Sequence, residues 1–170
     1  MASVGVVEKV KAELVRVVAT ITGAGYFTQL GTVPPRVYYN GESLDSVKDL
    51  APVVLVSTNG ATITARVSSR EQKDIPFRVA ALIRYNGLTE KLTLAERFES
   101  DLRDVLYDQW AAGRTNLAAY GITLIEFIVN GQPEIQIIQS DANQTNPAAC
   151  DYVVIGFNVI GRVRHKYTIQ

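Results

Sequence analysis

The hydrophobic positions near the N-terminus recur with the period of an α-helix. The positions at this spacing are Val7, Val10, Leu14, Val17, Val18 and Ile21. Most charged residues of the segment, such as Glu13 and Arg16, fall elsewhere on the helical wheel, which predicts one amphipathic helix from about residue 4 to 21. Gly23 and Gly25 are expected to end this helix.

The next segment carries strand patterns separated by a short helical pattern. Two prolines lead into Arg36–Tyr39, which predicts a short strand with the proline-blunted start found at sheet edges. One helical turn is expected within residues 44–51. The continuous apolar run Val53–Val56 is typical of a strand that is buried on both faces.

Alternating polar and apolar positions then predict a hairpin and a long strand. Asn59-Gly60 is the strongest short-range hairpin signal, and it precedes an alternating strand over residues 62–67. A long strand follows over residues 77–85, and the charged segment 68–74 is expected to be a connection between the two. The aromatic and basic side chains of the long strand are expected on opposite faces, Phe77 and Tyr85 on one and Arg78 and Arg84 on the other.

A second helix is predicted after residue 92. Thr93 and Glu96 have the spacing of a capping box, and Gly113 is expected to end the helix. Glu99 and Arg103 stand in the favourable i,i+4 order. Its apolar stripe comprises Ala95, Phe98, Leu102, Val105, Leu106 and Trp110.

Three strands are predicted to close the chain. Ile122–Val129 and Glu134–Gln139 are expected to form a tight hairpin through Asn130-Gly131, and a last strand of roughly fifteen residues starts at Tyr152. This order of elements predicts an α+β fold in one domain over residues 1–170. We expect a mixed, mostly antiparallel β-sheet with two main helices packed on one face, and a protruding hairpin.

Charge changes this picture, because a net charge of zero hides a segregation. The 17 basic and 17 acidic residues cancel, but residues 60–88 are mainly basic and residues 89–112 mainly acidic. The last strand adds Arg162, Arg164 and Lys166, with no acidic residue near them in sequence. Oppositely charged faces suit head-to-tail contact between identical subunits, and the lack of a basic excess argues against nucleic acid as the main partner. Ordinary solvated surfaces explain the same distribution equally well.

Candidate chemistry is sparse. Cys150 is the only cysteine and His165 the only histidine, so a nucleophilic pair is conceivable but a zinc site of the usual ligand set is not. A half-buried structural cysteine at the start of a strand is the better explanation of Cys150. Asp101, Asp104 and Asp108 fall on one helical face, which is better explained as an exposed acidic surface than as a metal site. We therefore expect no catalytic residues, no cofactor and no metal, and the sequence predicts neither a secretion signal nor a membrane span.

The layout of these elements resembles the tail terminator (tail completion) proteins of tailed bacteriophages. The resemblance covers most of the chain and lies in the order of its parts. These are the N-terminal helix with Glu8–Leu14, the exit Gly23–Tyr26, the strand starts Arg36–Tyr39 and Pro52–Val56, the acidic helix with Phe98–Leu102, and the closing Val163–Tyr167.

The resemblance implies a structural virion protein that is not an enzyme. Such proteins form a ring, usually a hexamer, that caps the head-proximal end of the tail tube, ends tube polymerisation and joins the tail to the neck. The implied partners are sister subunits, the tail tube protein and a neck protein, with DNA passing through the lumen unread. The implied location is the tail–neck junction of the virion, after assembly in the host cytoplasm.

Two other functions remain open from the sequence. One is a neck or head-completion (head–tail connector) protein, and the other is a nucleic-acid-binding α+β domain. The residues expected at subunit or tube interfaces are Tyr38, Tyr39, Arg66, Arg70, Lys73, Arg162, Arg164 and Lys166.

Overall fold

The described part of the chain forms two α-helices and six β-strands. A computed structural model describes residues 3–31, 36–39, 48–58, 60–67, 69–85, 90–111, 116–138 and 151–166. The helices are α1 (Ser3–Val18) and α2 (Lys91–Ala111), and two short 3₁₀ helices cover Lys48–Leu50 and Asn116–Tyr120. The strands are β1 (Val37–Tyr39), β2 (Val53–Thr58), β3 (Thr62–Val67), β4 (Arg70–Tyr85), β5 (Ile122–Ile138) and β6 (Asp151–Lys166).

All six strands belong to one mixed sheet in the order β1-β2-β4-β6-β5, with β3 beside β4 as well. Only β1 and β2 pair in parallel; the other pairings are antiparallel. The long strands β4 and β6 pair along their whole length, from Arg70 opposite Lys166 to Tyr85 opposite Asp151. The predicted α+β class with a mostly antiparallel sheet is confirmed.

Both helices pack on the same face of the sheet, as predicted. Val10 and Leu14 of α1 and Phe98 and Leu102 of α2 are fully buried against the odd-numbered residues of β4 and β6. Phe98 contacts the ring of Phe157 at 5.9 Å between centroids. This helical face holds the main core, and the opposite face, which we call the open face, carries the even-numbered residues of both strands.

Gly161 lies tightly packed between two phenylalanines of the sheet and Val10 of α1. A Cβ atom at this residue would lie 3.1 Å from ring carbons of Phe77 and Phe127 and 3.2 Å from a methyl carbon of Val10. Such distances are tighter than ordinary van der Waals contact. Because Gly161 has no side chain, Val10 of α1 packs directly against the sheet at this position.

The hairpin predicted at Asn59-Gly60 is wrong, because β2 and β3 do not pair with each other. Both lie along β4, β2 opposite its residues 77–82 and β3 opposite its residues 70–74. Gly60, with a φ of 114°, turns the chain between them. The real hairpin joins β3 and β4 where Val67 lies opposite Arg70. The segment 68–74, predicted to be a connection, is therefore mostly strand.

The second predicted hairpin, at Asn130-Gly131, is also absent. Residues 122–138 form one strand of 17 residues, which pairs with β6 on both sides of residues 131–133. The register shifts between Asn130 and Glu134, so residues 131–133 form a bulge in which Gly131 has a φ of 80°. Pro133 lies inside this bulge, where its missing N–H costs no ladder hydrogen bond.

The helix ends also differ from the prediction. The first helix stops at Val18 rather than Ile21, although Ile21 is buried as expected. The second begins at Lys91, with the N–H of Leu94 donating to the carbonyl of Glu90. Thr93 therefore lies within the first turn, so the predicted capping box is wrong. The helical turn predicted within residues 44–51 corresponds to the 3₁₀ helix Lys48–Leu50, and residues 44–47 lie outside the described residues. Gly113, the predicted end of the second helix, and the side chain of Trp110 lie outside them as well.

Candidate assembly surfaces

The open face of the sheet is partly apolar. Val53, Leu82 and Val154 form a small buried cluster there, and the half-buried Tyr38 and Tyr152 pack against it. Because both helices pack on the other side of the sheet, neither covers this cluster. The predicted interface residue Tyr38 therefore lies on the open face at the edge strand β1, whereas the side chain of Tyr39 lies outside the described residues.

Charged side chains bridge the strands in the middle of the open face. Arg162 donates two hydrogen bonds of 2.9 Å to the carboxylate of Asp74 on β4 and a third of 2.7 Å to Glu126 on β5. These contacts raise the pKa of Arg162, with the Asp74 hydrogen bond contributing most. Arg162 has no acidic neighbour in sequence, but the fold places Asp74 and Glu126 beside it. Its guanidinium is therefore already paired within its own subunit.

A second bridge spans the same three strands further along. Arg78 Nη2 lies 2.5 Å from Glu134 Oε2, and this hydrogen bond lowers the pKa of the Glu134 carboxyl. The guanidinium passes over Gly156 of the intervening strand, where a Cβ atom would lie only 3.0 Å from it. Arg78 and Phe77 point to opposite faces, as the alternation predicted.

One end of the open face is basic. Arg70 lies directly opposite Lys166, and Gln72 lies opposite Arg164, whose Nη2 is 3.5 Å from Gln72 Oε1. All three cations are exposed, and Arg70 and Arg164 line a concave surface of about 340 Å³ together with Ala65, Glu71 and Gln72. We call Arg70, Arg164 and Lys166 the basic end. Among the described residues no acidic side chain forms a salt bridge with these three.

Beneath the basic end, on the helical face, lies a buried ionic cluster. Glu71 is 3% exposed and accepts a 2.8 Å hydrogen bond from Arg66 Nη2, while Lys73 Nζ lies 3.2 Å from its other oxygen. His165 Nε2 is also 3.2 Å from that oxygen, without hydrogen-bonding geometry. The hydrogen bond from Arg66, followed by that from Lys73, lowers the pKa of the Glu71 carboxyl.

This cluster changes the roles expected of two predicted interface residues. Lys73 is buried and held by Glu71, so it cannot meet a partner as a free cation. Arg66 remains half-exposed but is committed to the same carboxylate. The burial of Glu71 and Lys73 could have been predicted from the sequence. Both lie at the same alternate positions along the strand as the apolar Ile75 and Phe77. Extending that alternation toward the N-terminus places both charged residues on the helical face.

The acidic surface of α2 is narrower than predicted. Asp101 points inward, is 2% exposed, and accepts hydrogen bonds of 3.0 Å from the N–H of Phe27 and 2.6 Å from that of Thr28. The prediction that Asp101, Asp104 and Asp108 form one exposed face is therefore wrong. Glu13 is likewise buried, and it binds Arg16 and the N–H of Asn116.

Asp104 and Asp108 remain exposed and line an open groove of about 550 Å³ with Gly25, Tyr26, Arg103 and Tyr107. Arg103 is paired with Glu99. We call Tyr26, Asp104, Tyr107 and Asp108 the acidic groove. Tyr107 is 63% exposed, an unusual amount for a large aromatic side chain. Burial raises the pKa of the Tyr26 phenol, and the carboxylates of Asp108, Asp101 and Asp104 raise it further. Because the only guanidinium among the described lining residues is paired with Glu99, the two exposed carboxylates leave the groove with net negative charge, which favours a cationic partner.

The described residues meet the requirements of neither a metal site nor a membrane-spanning helix. They contain no group of three or more His, Cys, Asp or Glu side chains placed to hold a metal ion. Cys150 lies outside the described part of the chain, so the structure does not test a contact between Cys150 and His165. No helix in the described part has the length and apolar character needed to cross a membrane. No protein-family model matches the sequence, and no curated protein resembles it significantly.

Proposed function

We propose that this protein is a structural subunit of a ring that caps the head-proximal end of a phage tail tube. In this role it ends tube polymerisation and joins the tail to the neck, without catalysing a reaction. Its partners are sister subunits, the tail tube protein and a neck protein, and it resides at the tail–neck junction of the virion.

The observation that carries this proposal is the β3–β4 hairpin. Residues 61–66 are exposed on both faces of the sheet, so β3 contributes almost nothing to the core of its own subunit. Its outer edge pairs with no other described strand. Unpaired strand edges readily pair with another chain. Because β3 stabilises its own subunit so little, we assign it to contact with a neighbouring subunit.

The buried cluster around Glu71 supports the same function. It ties Arg66 of β3 to Glu71 and Lys73 of β4. A contact arm that is held rigid before it meets its partner loses less conformational entropy on binding than a flexible loop. The ionic cluster therefore suits a hairpin that docks on another subunit.

Electron microscopy and a tube-capping assay test the proposal. The purified protein, alone and mixed with the tail tube protein, is imaged by negative stain while tube length is measured. We expect rings of about six copies and tubes that stop growing at one end once the protein is added. Tubes that elongate at an unchanged rate with the protein in excess would refute the capping function.

The connector alternative belongs to the same class and makes a different prediction. A neck or head-completion protein would bind the portal end and leave tube growth unaffected. Pull-down with the tube protein and with the portal protein in parallel separates the two. Binding to the tube protein alone supports the terminator function.

The basic end gives a specific observation in favour of nucleic-acid binding. Exposed cations on a sheet surface attract phosphates, and such binding weakens steeply as salt rises. A gel-shift titration with duplex and single-stranded DNA at several salt concentrations tests this function. A tight, strongly salt-dependent shift would favour it over the structural role.

A further inference from the structure

We infer that the basic end of one copy docks into the acidic groove of a second copy of this chain. The inference rests on the proposed ring and specifies the contact that builds it. The two surfaces are defined by residues that the fold brings together from distant parts of the chain. Arg70, Arg164 and Lys166 form one surface, and Tyr26, Asp104, Tyr107 and Asp108 form the other.

The basic end is unfavourable for an isolated subunit. Arg70 and Lys166 lie directly opposite each other on neighbouring strands, and like charges in such a pair destabilise a sheet. Arg164 follows one step along the same face, diagonal to Arg70. Elsewhere on this face the arginines Arg162 and Arg78 are neutralised by carboxylates of their own subunit. An anionic surface from outside the subunit would do the same for the basic end.

The acidic groove supplies that surface. Its two carboxylates are exposed one helical turn apart on α2, and two tyrosines line the same groove. Arginine side chains bind carboxylates through planar hydrogen bonds and stack on aromatic rings. An arginine from a neighbouring copy would therefore find both kinds of contact in one groove. Tyrosine and arginine are also the residues enriched at the centres of protein interfaces.

The positions of the two surfaces make the contact heterologous. The basic end lies on the open face, whereas the acidic groove lies in the layer formed by α2 and the segment that follows α1. One subunit therefore cannot satisfy its own basic end. Each copy offers an unused groove after it has docked on its neighbour, and repeated contacts of this kind close into a ring when the rotation permits.

Charge reversal on each side tests the inference. One variant combines Arg70→Glu with Arg164→Glu, a second combines Asp104→Arg with Asp108→Arg, and a third carries all four changes. Self-association is measured by sedimentation velocity at low and high salt. We expect each two-site variant alone to associate at least tenfold more weakly, because like charges then face each other across the contact.

Recovery distinguishes a direct contact from a general charge effect. The four-site variant, and an equimolar mixture of the two-site variants, both restore opposite charges across the contact. We expect both to associate as strongly as the natural protein. The control variant combines Glu8→Arg with Glu96→Arg at two exposed residues outside the groove. It changes the net charge as much as the Asp104 and Asp108 reversal does, and it should leave association unchanged. Circular dichroism melting verifies that every variant is folded.

The outcomes separate this inference from the proposed function. Rings that survive both reversals overturn the inference alone. A second outcome is that association is lost in each two-site variant and recovered in the four-site variant and the mixture, while the oligomers neither close into rings nor cap tubes. This outcome supports the inference and refutes the ring. Duplex DNA binding that is lost on the Arg70 and Arg164 reversal, while association is unchanged, assigns the basic end to phosphates and overturns the inference. A protein that stays monomeric at millimolar concentration, and also forms no ring in the presence of the tail tube protein, refutes both.

Discussion

The carboxylate of Asp101 accepts a 2.6 Å hydrogen bond from the backbone N–H of Thr28, a residue 73 positions earlier in the chain. The other carboxylate oxygen accepts from the N–H of Phe27 at 3.0 Å. This single side chain of α2 therefore fixes the segment that follows α1. It also positions Tyr26, the residue before Phe27, at the wall of the acidic groove.

Replacing Asp101 with alanine should lower the free energy of unfolding by about 2–3 kcal/mol, because two backbone donors then lose a charged acceptor in a buried site. Urea denaturation followed by circular dichroism measures this loss. Asp104→Ala is the matched control, since the same residue type is exposed one turn further on and should change stability by less than about 0.5 kcal/mol. Equal effects of the two substitutions would contradict the assigned role of Asp101.

Glu71 should be the most sensitive charged residue of the sheet. Glu71→Gln leaves Lys73 buried without its carboxylate, and breaking a buried ion pair in this way costs about 3 kcal/mol. Replacing both residues by apolar ones, with Glu71→Leu and Lys73→Met, should recover most of the loss because no buried charge then remains. Denaturant unfolding of the single and double variants measures both effects. A double variant that is less stable than Glu71→Gln would rule out the buried-charge explanation.

The same carboxylate predicts how stability depends on pH. The pKa of Glu71 is lowered in the folded protein from an ordinary value of 4.5, chiefly by the hydrogen bond from Arg66. A carboxyl group whose pKa is lower in the folded state than in the unfolded state stabilises the fold. This stabilisation is complete at a pH above the unfolded-state pKa, and it is lost as the pH falls through the folded-state pKa. We therefore expect the stability difference between the natural protein and Glu71→Gln to be constant near neutral pH and to shrink below about pH 4.5. A difference that grows on acidification would contradict the sign of this pKa shift.

Gly161 and Gly156 provide a matched pair of substitutions on one strand. Gly161→Ala forces a methyl group against Phe77, Phe127 and Val10 in the core, and such overpacking costs about 1–3 kcal/mol. Gly156→Ala meets only the guanidinium of Arg78, a half-exposed flexible group that can move aside. Thermal unfolding should therefore show a clearly larger loss for Gly161→Ala. The reverse order would mean that α1 does not pack on the sheet at Gly161.

The helices and strands could be predicted because their signals are local. The helical spacing of Val10 and Leu14 and the alternation from Phe77 to Tyr85 record which side chains face a core, whatever that core turns out to be. The same signals were enough for the α+β class. They also placed Arg78 and Phe77 on opposite faces of one strand, which the structure confirms.

Both Asn-Gly predictions failed for one physical reason. An Asn-Gly pair favours a backbone with positive φ, and Gly60 and Gly131 adopt that conformation. The conformation does not determine which strands pair afterwards. Because β4 and β6 are long enough to pair with neighbours along their whole length, β2 and β3 share one side of β4, and β5 continues through its bulge beside β6.

The sequence by itself determined the α+β class, the two helices, the apolar faces of most strands and the uneven distribution of charge along the chain. Only the tertiary structure decided which charges are free. Arg162 is neutralised by Asp74 and Glu126, residues 88 and 36 positions away in the chain, and Lys73 is buried beside Glu71. Arg70, Arg164 and Lys166 remain exposed. Ion pairs depend on distances between strands, and those distances are set by sheet register and core packing, which no local pattern of residues encodes.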